Sequence, residues 1–310
     1  MTPIFIVGCE RSGTTLLGAM FGSHPDVICV PEAQFLYDLM PDADPRRPVD
    51  AGELLRRLGR HWRFRLWRFP VERIEIDPAR TYSYAGFIEA VIRSYAAHHG
   101  REAPKFWAEH WPNKIAVLAR LSGHFPDARV IHIVRDGRAV AASLLPLPWG
   151  PNDIREAAHH WAIKLAFGHS AAAFLGPERC RTVRYEDLVM QPVETMQLLA
   201  AHVGLPYHPS LLETTGLAVP AYTRGQHALV GKPPDPARIE KWKTQLSARE
   251  IEIFEHLTGD LLAYHGYELL AGMRPRPLSL AEKIGVGERW LRYRILNKAR
   301  SWWRRQRFAA

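Results

Sequence analysis

Cysteine is scarce in this chain: Cys9, Cys29 and Cys180 are the only three, an odd number with no C-x-x-C spacing. So few predict neither a disulfide framework nor a cysteine-based zinc site. Cys9 reads either as a small packing residue or as a reactive thiol at a helix start. Long apolar runs are missing as well. No stretch approaches the roughly 18 residues of a membrane span, and no internal repeat is visible. The first apolar run begins at Ile4, so no signal peptide is expected ahead of it.

Acidic residues are scarce in the C-terminal stretch. From Arg274 onward eleven arginines and lysines face only Glu282 and Glu288, an excess of nine that equals the formal net charge of +9 of the whole chain. The preceding residues are therefore formally neutral, and the high pI belongs to the tail. A second basic cluster, Arg56 to Arg73, is partly offset by acids nearby.

What is present is an ordinary globular composition: 310 residues, 47% hydrophobic and 24% charged. Such a chain buries a sizeable core without staples. The expected division is one domain over residues 1–272 and a basic amphipathic helical extension over 273–310.

Apolar β-branched runs alternate with helical spacing. Ile4–Val7, Val27–Val30, Lys105–Trp107, Arg129–Val134 and Cys180–Tyr185 read as strands. Between and after them, helices are predicted from Thr14, over Ala33–Leu39, Tyr84–His98, Ile115–His124, Gly137–Leu145, Asp153–Phe174, Pro192–Val203 and Ala248–Tyr264. The last starts at Ser247 with Glu250 at capping-box spacing. This alternation predicts an α/β fold, an open and mainly parallel sheet of P-loop-like type with helices on both faces. Pro206 to Pro236 reads as loop. Residues 51–73 carry Leu54, Leu58, Trp62, Leu66 and Phe69 at near-helical spacing among arginines. Two readings stay open there, a solvated amphipathic helix and a lid on the acceptor side.

Two stretches carry chemistry. In Gly8-Cys9-Glu10-Arg11-Ser12-Gly13-Thr14-Thr15 a strand runs through a glycine-bounded turn into a helix. Backbone N–H groups and the helix dipole make that junction an anion site. It is similar to the nucleotide-binding loop G-x-x-x-x-G-K-[ST], but Thr14 stands where the lysine belongs and the cation sits at Arg11. A nucleoside triphosphatase would lack its phosphate lysine. The second stretch, Ile131 to Ser143, repeats the strand–turn–helix pattern around Arg135-Asp136-Gly137. Ser143 lies eight residues beyond Arg135, about two turns of helix at 3.6 residues per turn.

Together these resemble the two phosphate-binding motifs of sulfotransferases that use 3′-phosphoadenosine 5′-phosphosulfate (PAPS). The wording is nearest to the tyrosylprotein-sulfotransferase-like branch and its bacterial relatives. His24-Pro25-Asp26-Val27, Pro112-Asn113-Lys114, Tyr185-Glu186-Asp187-Leu188, Gly231-Lys232-Pro233 and Trp242 follow in the same order. The resemblance spans roughly residues 4–268 and departs from its pattern at Gly225-Gln226-His227.

The resemblance implies sulfuryl transfer from PAPS to an acceptor hydroxyl or amine, with release of adenosine 3′,5′-bisphosphate. It assigns Arg11, Ser12, Gly13, Thr14 and Thr15 to the 5′-phosphosulfate. Arg135 and Ser143 fall to the 3′-phosphate, and Tyr185 and Lys232 to further cofactor contacts. Lys114 becomes a second cation at the leaving group and Glu32 the general base. Other branches use histidine, for which His110 and His132 stand nearest the motifs. No metal is required, because the transferring group carries a single negative charge. The acceptor class spans glycan, lipid-linked, small-molecule and peptide hydroxyls.

The expected location is the cytoplasm, at the inner face of the membrane if the tail engages it. Over residues 279–308 apolar residues Leu280, Ile284, Leu291, Ile295 and Trp302 form a band about 60° wide at 100° per residue. Among arginines that suits an anionic membrane, a nucleic acid, or docking on the protein's own domain or on a second copy in a homo-oligomer. The competing enzyme class, a P-loop kinase of small molecules, is opposed by Thr14.

Overall fold

In the computed structural model the described residues are 1–41, 44–77, 79–147, 149–218 and 231–270, with Arg276, Pro277, Ser279, Leu280 and Glu282 beyond them; of Asn113, Lys114 and Ala116 only the backbone is described. Five parallel strands form one sheet: β1 (Thr2–Gly8), β2 (Val27–Val30), β3 (Phe106–Glu109), β4 (Arg129–Val134) and β5 (Cys180–Arg184), in the order β2-β3-β1-β4-β5. The α/β expectation holds, and each strand lies within a residue or two of its predicted place.

β1 shows how sequence becomes layer structure. Ile4, Phe5, Ile6 and Val7 are all fully buried, as a strand with helices on both sides requires. Successive side chains point to opposite faces. Phe5 and Val7 join a core with Phe87, Val91, Trp107 and Phe125. Ile4 and Ile6 join the opposite one with Leu17, Met20, Met196 and Leu199. A third cluster, around Trp161, Val140 and Phe254, packs the C-terminal helices against the end of the sheet.

Helix boundaries follow local chemistry. Ser83 accepts from the Gly86 N–H and starts Tyr84–His98. Asp153 accepts from the Arg155 and Glu156 N–H groups and starts Ile154–Leu175. Ser247 and Glu250 close the predicted capping box of Ala248–Tyr264. Two expectations need adjustment. The segment predicted as one helix from Ile115 is a 3-10 turn, Pro112–Val117, followed by the helix Leu118–His124. Residues 51–73 break into Ala51–Arg60, Trp62–Arg65 and a 3-10 turn at Val71–Arg73, with His61 extended and Pro70 ahead of the last turn.

The sheet order explains where a site must lie. From β1 the chain builds β2 and β3 on one side and then crosses to β4 and β5 on the other. The carboxyl ends of β1 and β4 therefore flank a topological switch point, where open α/β sheets bind ligands. Register places Gly8 opposite Ile133, so the loop after β1 and Arg135 after β4 emerge side by side.

The predicted extension falls almost wholly outside the described residues. Its described start docks on the domain: Arg276 bonds Glu252, and Arg249 Nη2 lies 2.7 Å from Glu282 Oε2. Ser279 and Glu282 exchange capping bonds, with the Ser279 N–H 2.7 Å from Glu282 Oε2 and the Glu282 N–H 3.2 Å from Ser279 Oγ. No helix among the described residues is long and apolar enough to cross a membrane.

Candidate active site

Gly13 sits at φ 101 as the N-cap of Thr14–Gly22, a conformation that only glycine adopts without strain. Space demands glycine as well, since a Cβ there would stand 2.6 Å from the Tyr185 ring. The helix has neither a side-chain cap nor an acid in its first turn, which leaves its first N–H groups for a ligand. Arg11, at φ 69, pays for a left-handed conformation that glycine would adopt freely.

The two basic motifs touch each other. Arg11 Nε donates to Ser143 Oγ at 3.0 Å, and Arg135 Nη1 donates to the Arg11 carbonyl at 2.9 Å. Burial, and then the neighbouring Arg135 guanidinium, lowers the Arg11 pKa. The Arg135 guanidinium lies 4.4 Å from the centre of the Tyr185 ring. That ring, itself buried, also floors Gly13, so Tyr185 is the platform on which both motifs rest.

The turn after β4 is held from below. Trp161 Nε1 donates to the Arg135 carbonyl at 3.1 Å, and the Asp136 N–H donates to Glu186 Oε1 at 3.1 Å. Glu186 Oε2 accepts from the Tyr267 hydroxyl at 2.9 Å, and burial raises the Glu186 pKa. Arg138, buried between Asp136 and Glu255, stacks on Trp242 at 4.1 Å. It ties the Gly137–Leu144 helix to the Ala248–Tyr264 helix.

The expected acceptor-side residues lie across β3 from this cluster. Glu32 follows β2 by two residues, and its Oε2 is 3.0 Å from Arg63 Nη1. Trp67 Nε1 donates to its carbonyl at 3.4 Å. Glu32 thus has a cation from residues 62–67 as a partner. Phe64, Trp67 and Phe69 are buried in the main core, so this segment is packed down around Glu32 and is not a solvated helix along its whole length. The Lys114 side chain lies outside the described residues. Lys232 is exposed, and its carbonyl accepts from Thr214 Oγ1 at 3.0 Å.

One residue escaped the sequence reading. Glu109 ends β3 opposite Val30 and is fully buried. Its Oε1 accepts from the Ala33 N–H at 3.1 Å and the Trp111 N–H at 2.9 Å. The bond to Ala33 fixes the turn that carries Glu32. A buried carboxylate needs such partners, and a lone acid closing an apolar strand was the available signal. Of the candidate histidines, His132 lies within β4, fully buried with its Nδ1 3.5 Å from Thr182 Oγ1, which makes it a core residue. His110 packs against Gly18 of the first helix. His24 closes a turn, accepting from the Asp26 N–H at 3.0 Å.

A model of the sulfotransferase family matches residues 3–209. This chain belongs to the sulfotransferase family. Nodulation protein NoeE of Sinorhizobium fredii is 28% identical over 85% of this chain, and the protein-tyrosine sulfotransferase of Drosophila melanogaster 26% over 79%. These matches span 65% and 48% of the two relatives' own lengths. Among solved structures, the sulfotransferase domain of the curacin biosynthetic pathway superposes with a TM-score of 0.57 at 19% identity, covering 86% of this chain and 98% of that domain. The sulfotransferase domain of the Synechococcus olefin synthase gives 0.54 at 22%, covering 82% and 94%. Both likenesses concern the fold. An open groove of about 670 Å³ between residues 72–82 and the Tyr84–His98 helix is lined by none of the motif residues.

Proposed function

We propose that the protein moves a sulfuryl group from PAPS to an acceptor hydroxyl or amine and releases adenosine 3′,5′-bisphosphate. The observation that carries this reading is the contact of Arg11 with Ser143 and Arg135 beside an uncapped helix start. Two cations and a hydroxyl converge where a nucleotide with two separate phosphate groups would need them. The donor set fits such a ligand in a second way. Ser12 Oγ and Arg135 Nε are buried and have no hydrogen-bond partner among the described residues, and buried polar atoms are seldom left so.

When bound, PAPS supplies an activated sulfuryl group on a 5′-phosphate. Arg11 and the backbone amides of Ser12 to Thr15 stabilise negative charge at the loop, and the Thr14 and Thr15 hydroxyls add donors. Lys114 adds a second cation there. Arg135 and Ser143 hold the 3′-phosphate, and Tyr185 supports Arg135 from beneath. Lys232 adds a further contact to the nucleotide. Glu32 accepts the acceptor proton, held in place by Arg63 and by the Glu109-anchored turn. In-line transfer through a loose transition state needs positioning and charge stabilisation more than covalent help, so the chain's own cations suffice without a metal. Relatives named protein-tyrosine sulfotransferases support a hydroxyl as acceptor, and residues 62–67 form the wall that would select it.

Thermal unfolding tests the reading. Adenosine 3′,5′-bisphosphate should raise the melting temperature in proportion to its occupancy, whereas ATP with magnesium should not. The reverse result would favour the small-molecule kinase.

A further inference from the structure

Cys9 and Glu10, the first two residues after β1, meet the long Ile154–Leu175 helix. His160 Nε2 lies 2.7 Å from Glu10 Oε2, and Lys164 Nζ lies 3.4 Å from Glu10 Oε1. Cys9 Sγ is 3.8 Å from Glu10 Oε2. One ligand atom from each of Cys9, Glu10 and His160 lies within 4.8 Å of the other two, the only such trio among the described residues.

We propose that Cys9, Glu10 and His160 form a site for a zinc-type divalent cation, built into the base of the phosphate loop. Thiolate, imidazole and carboxylate are the donors that zinc and cobalt(II) accept in tetrahedral sites. Such an ion separates its ligand atoms by roughly 3.3–3.6 Å, given bonds of about 2.0–2.3 Å, so the trio needs only small adjustments. The two oxygens of Glu10 divide the work, Oε2 facing the ion and Oε1 keeping Lys164, which orients the carboxylate as a supporting shell does. Entry runs past His160, 37% exposed, and Glu10, 14% exposed. Cys9, fully buried, closes the inner side. Binding breaks the hydrogen bond between His160 Nε2 and Glu10 Oε2, leaves the neutral imidazole with its proton on Nδ1, releases the Cys9 thiol proton to water, forms three metal–ligand bonds and leaves the fourth position to a water. Because Arg11 follows directly, an ion held here fixes the loop that presents it. The inference does not depend on the identity of the sulfuryl donor.

The test is titration of the full-length protein with cobalt(II) alone, in a reductant that does not chelate metals. One equivalent should produce a thiolate-to-cobalt charge-transfer band with tetrahedral visible bands, and zinc should bleach both. Cys9→Ser should remove the charge-transfer band, His160→Ala should weaken binding at least tenfold, and Cys29→Ser and Cys180→Ser should keep the band. A wild-type protein without the band, or a band that survives Cys9→Ser, overturns the proposal. If Cys9→Ser does not fold, His160→Ala decides alone: undiminished cobalt affinity overturns the site.

Discussion

Arg11 Nε lies 3.0 Å from Ser143 Oγ, a contact between residues 132 positions apart in the chain. It joins the loop after β1 to the helix after β4, and the Arg135 bond to the Arg11 carbonyl doubles the link. The two motifs are thus one cluster, and disturbance of either should be felt at both.

Arg135→Ala should weaken binding of adenosine 3′,5′-bisphosphate by about 2 kcal/mol, roughly 30-fold, the usual loss for a charge-assisted bond. Calorimetric titration should also show the preference over adenosine 5′-phosphate collapsing. If the mutant keeps the wild-type preference, the 3′-phosphate is read elsewhere.

Gly13→Ala forces a side chain into a left-handed conformation and against the Tyr185 ring. The cost should be about 1–3 kcal/mol, read as a lower denaturant midpoint. Tyr185→Ala should relieve part of it by removing the obstructing ring, so a double-mutant cycle with strictly additive losses would contradict the contact.

Glu32→Gln should lower turnover by about 10²–10⁴-fold with bisphosphate affinity nearly unchanged, the range for a lost general base. A mutant that keeps most of its turnover, with chemistry shown to be rate-limiting, would remove Glu32 from that role and bring His110 forward.

Glu109→Ala takes the acceptor from the buried Ala33 N–H, at about 1–3 kcal/mol, and from the part-buried Trp111 N–H at a smaller cost. Glu109→Gln keeps an acceptor oxygen and should be much milder. In single-turnover kinetics the alanine variant should lose rate while donor affinity holds. Equal effects from both variants would show that the charge of Glu109 matters more than its anchoring.

Acid should destabilise the fold through His132. Burial first, then His169 and His265 nearby, push its pKa down to about 3, against about 6.5 in an unfolded chain. Between those values the unfolded state binds a proton that the folded state refuses, so stability falls as pH drops from about 6.5 towards 3. His132→Leu should flatten that slope by up to about 1.4 kcal/mol per pH unit. Urea melts at pH 7 and pH 5 that give the same slope for both proteins would contradict it.

The strands, most of the helices and the two strand–turn–helix stretches around Arg11 and Arg135 were legible in the sequence because each is a local signal. An apolar β-branched run such as Ile4–Val7 reports burial on two faces, and a glycine-bounded turn before a helix reports an anion site wherever it sits in the fold. What the sequence could not show are pairings made across the sheet. Arg11 meets Ser143 and Glu109 meets Ala33 only because the strands lie in the order β2-β3-β1-β4-β5. That order comes from how crossover helices pack their apolar faces, a property of the whole core that no spacing along the chain encodes. Residues 51–73 show the same limit. Their helical spacing was plain, but whether they face solvent or cover Glu32 was decided by Phe64, Trp67 and Phe69 finding the main core.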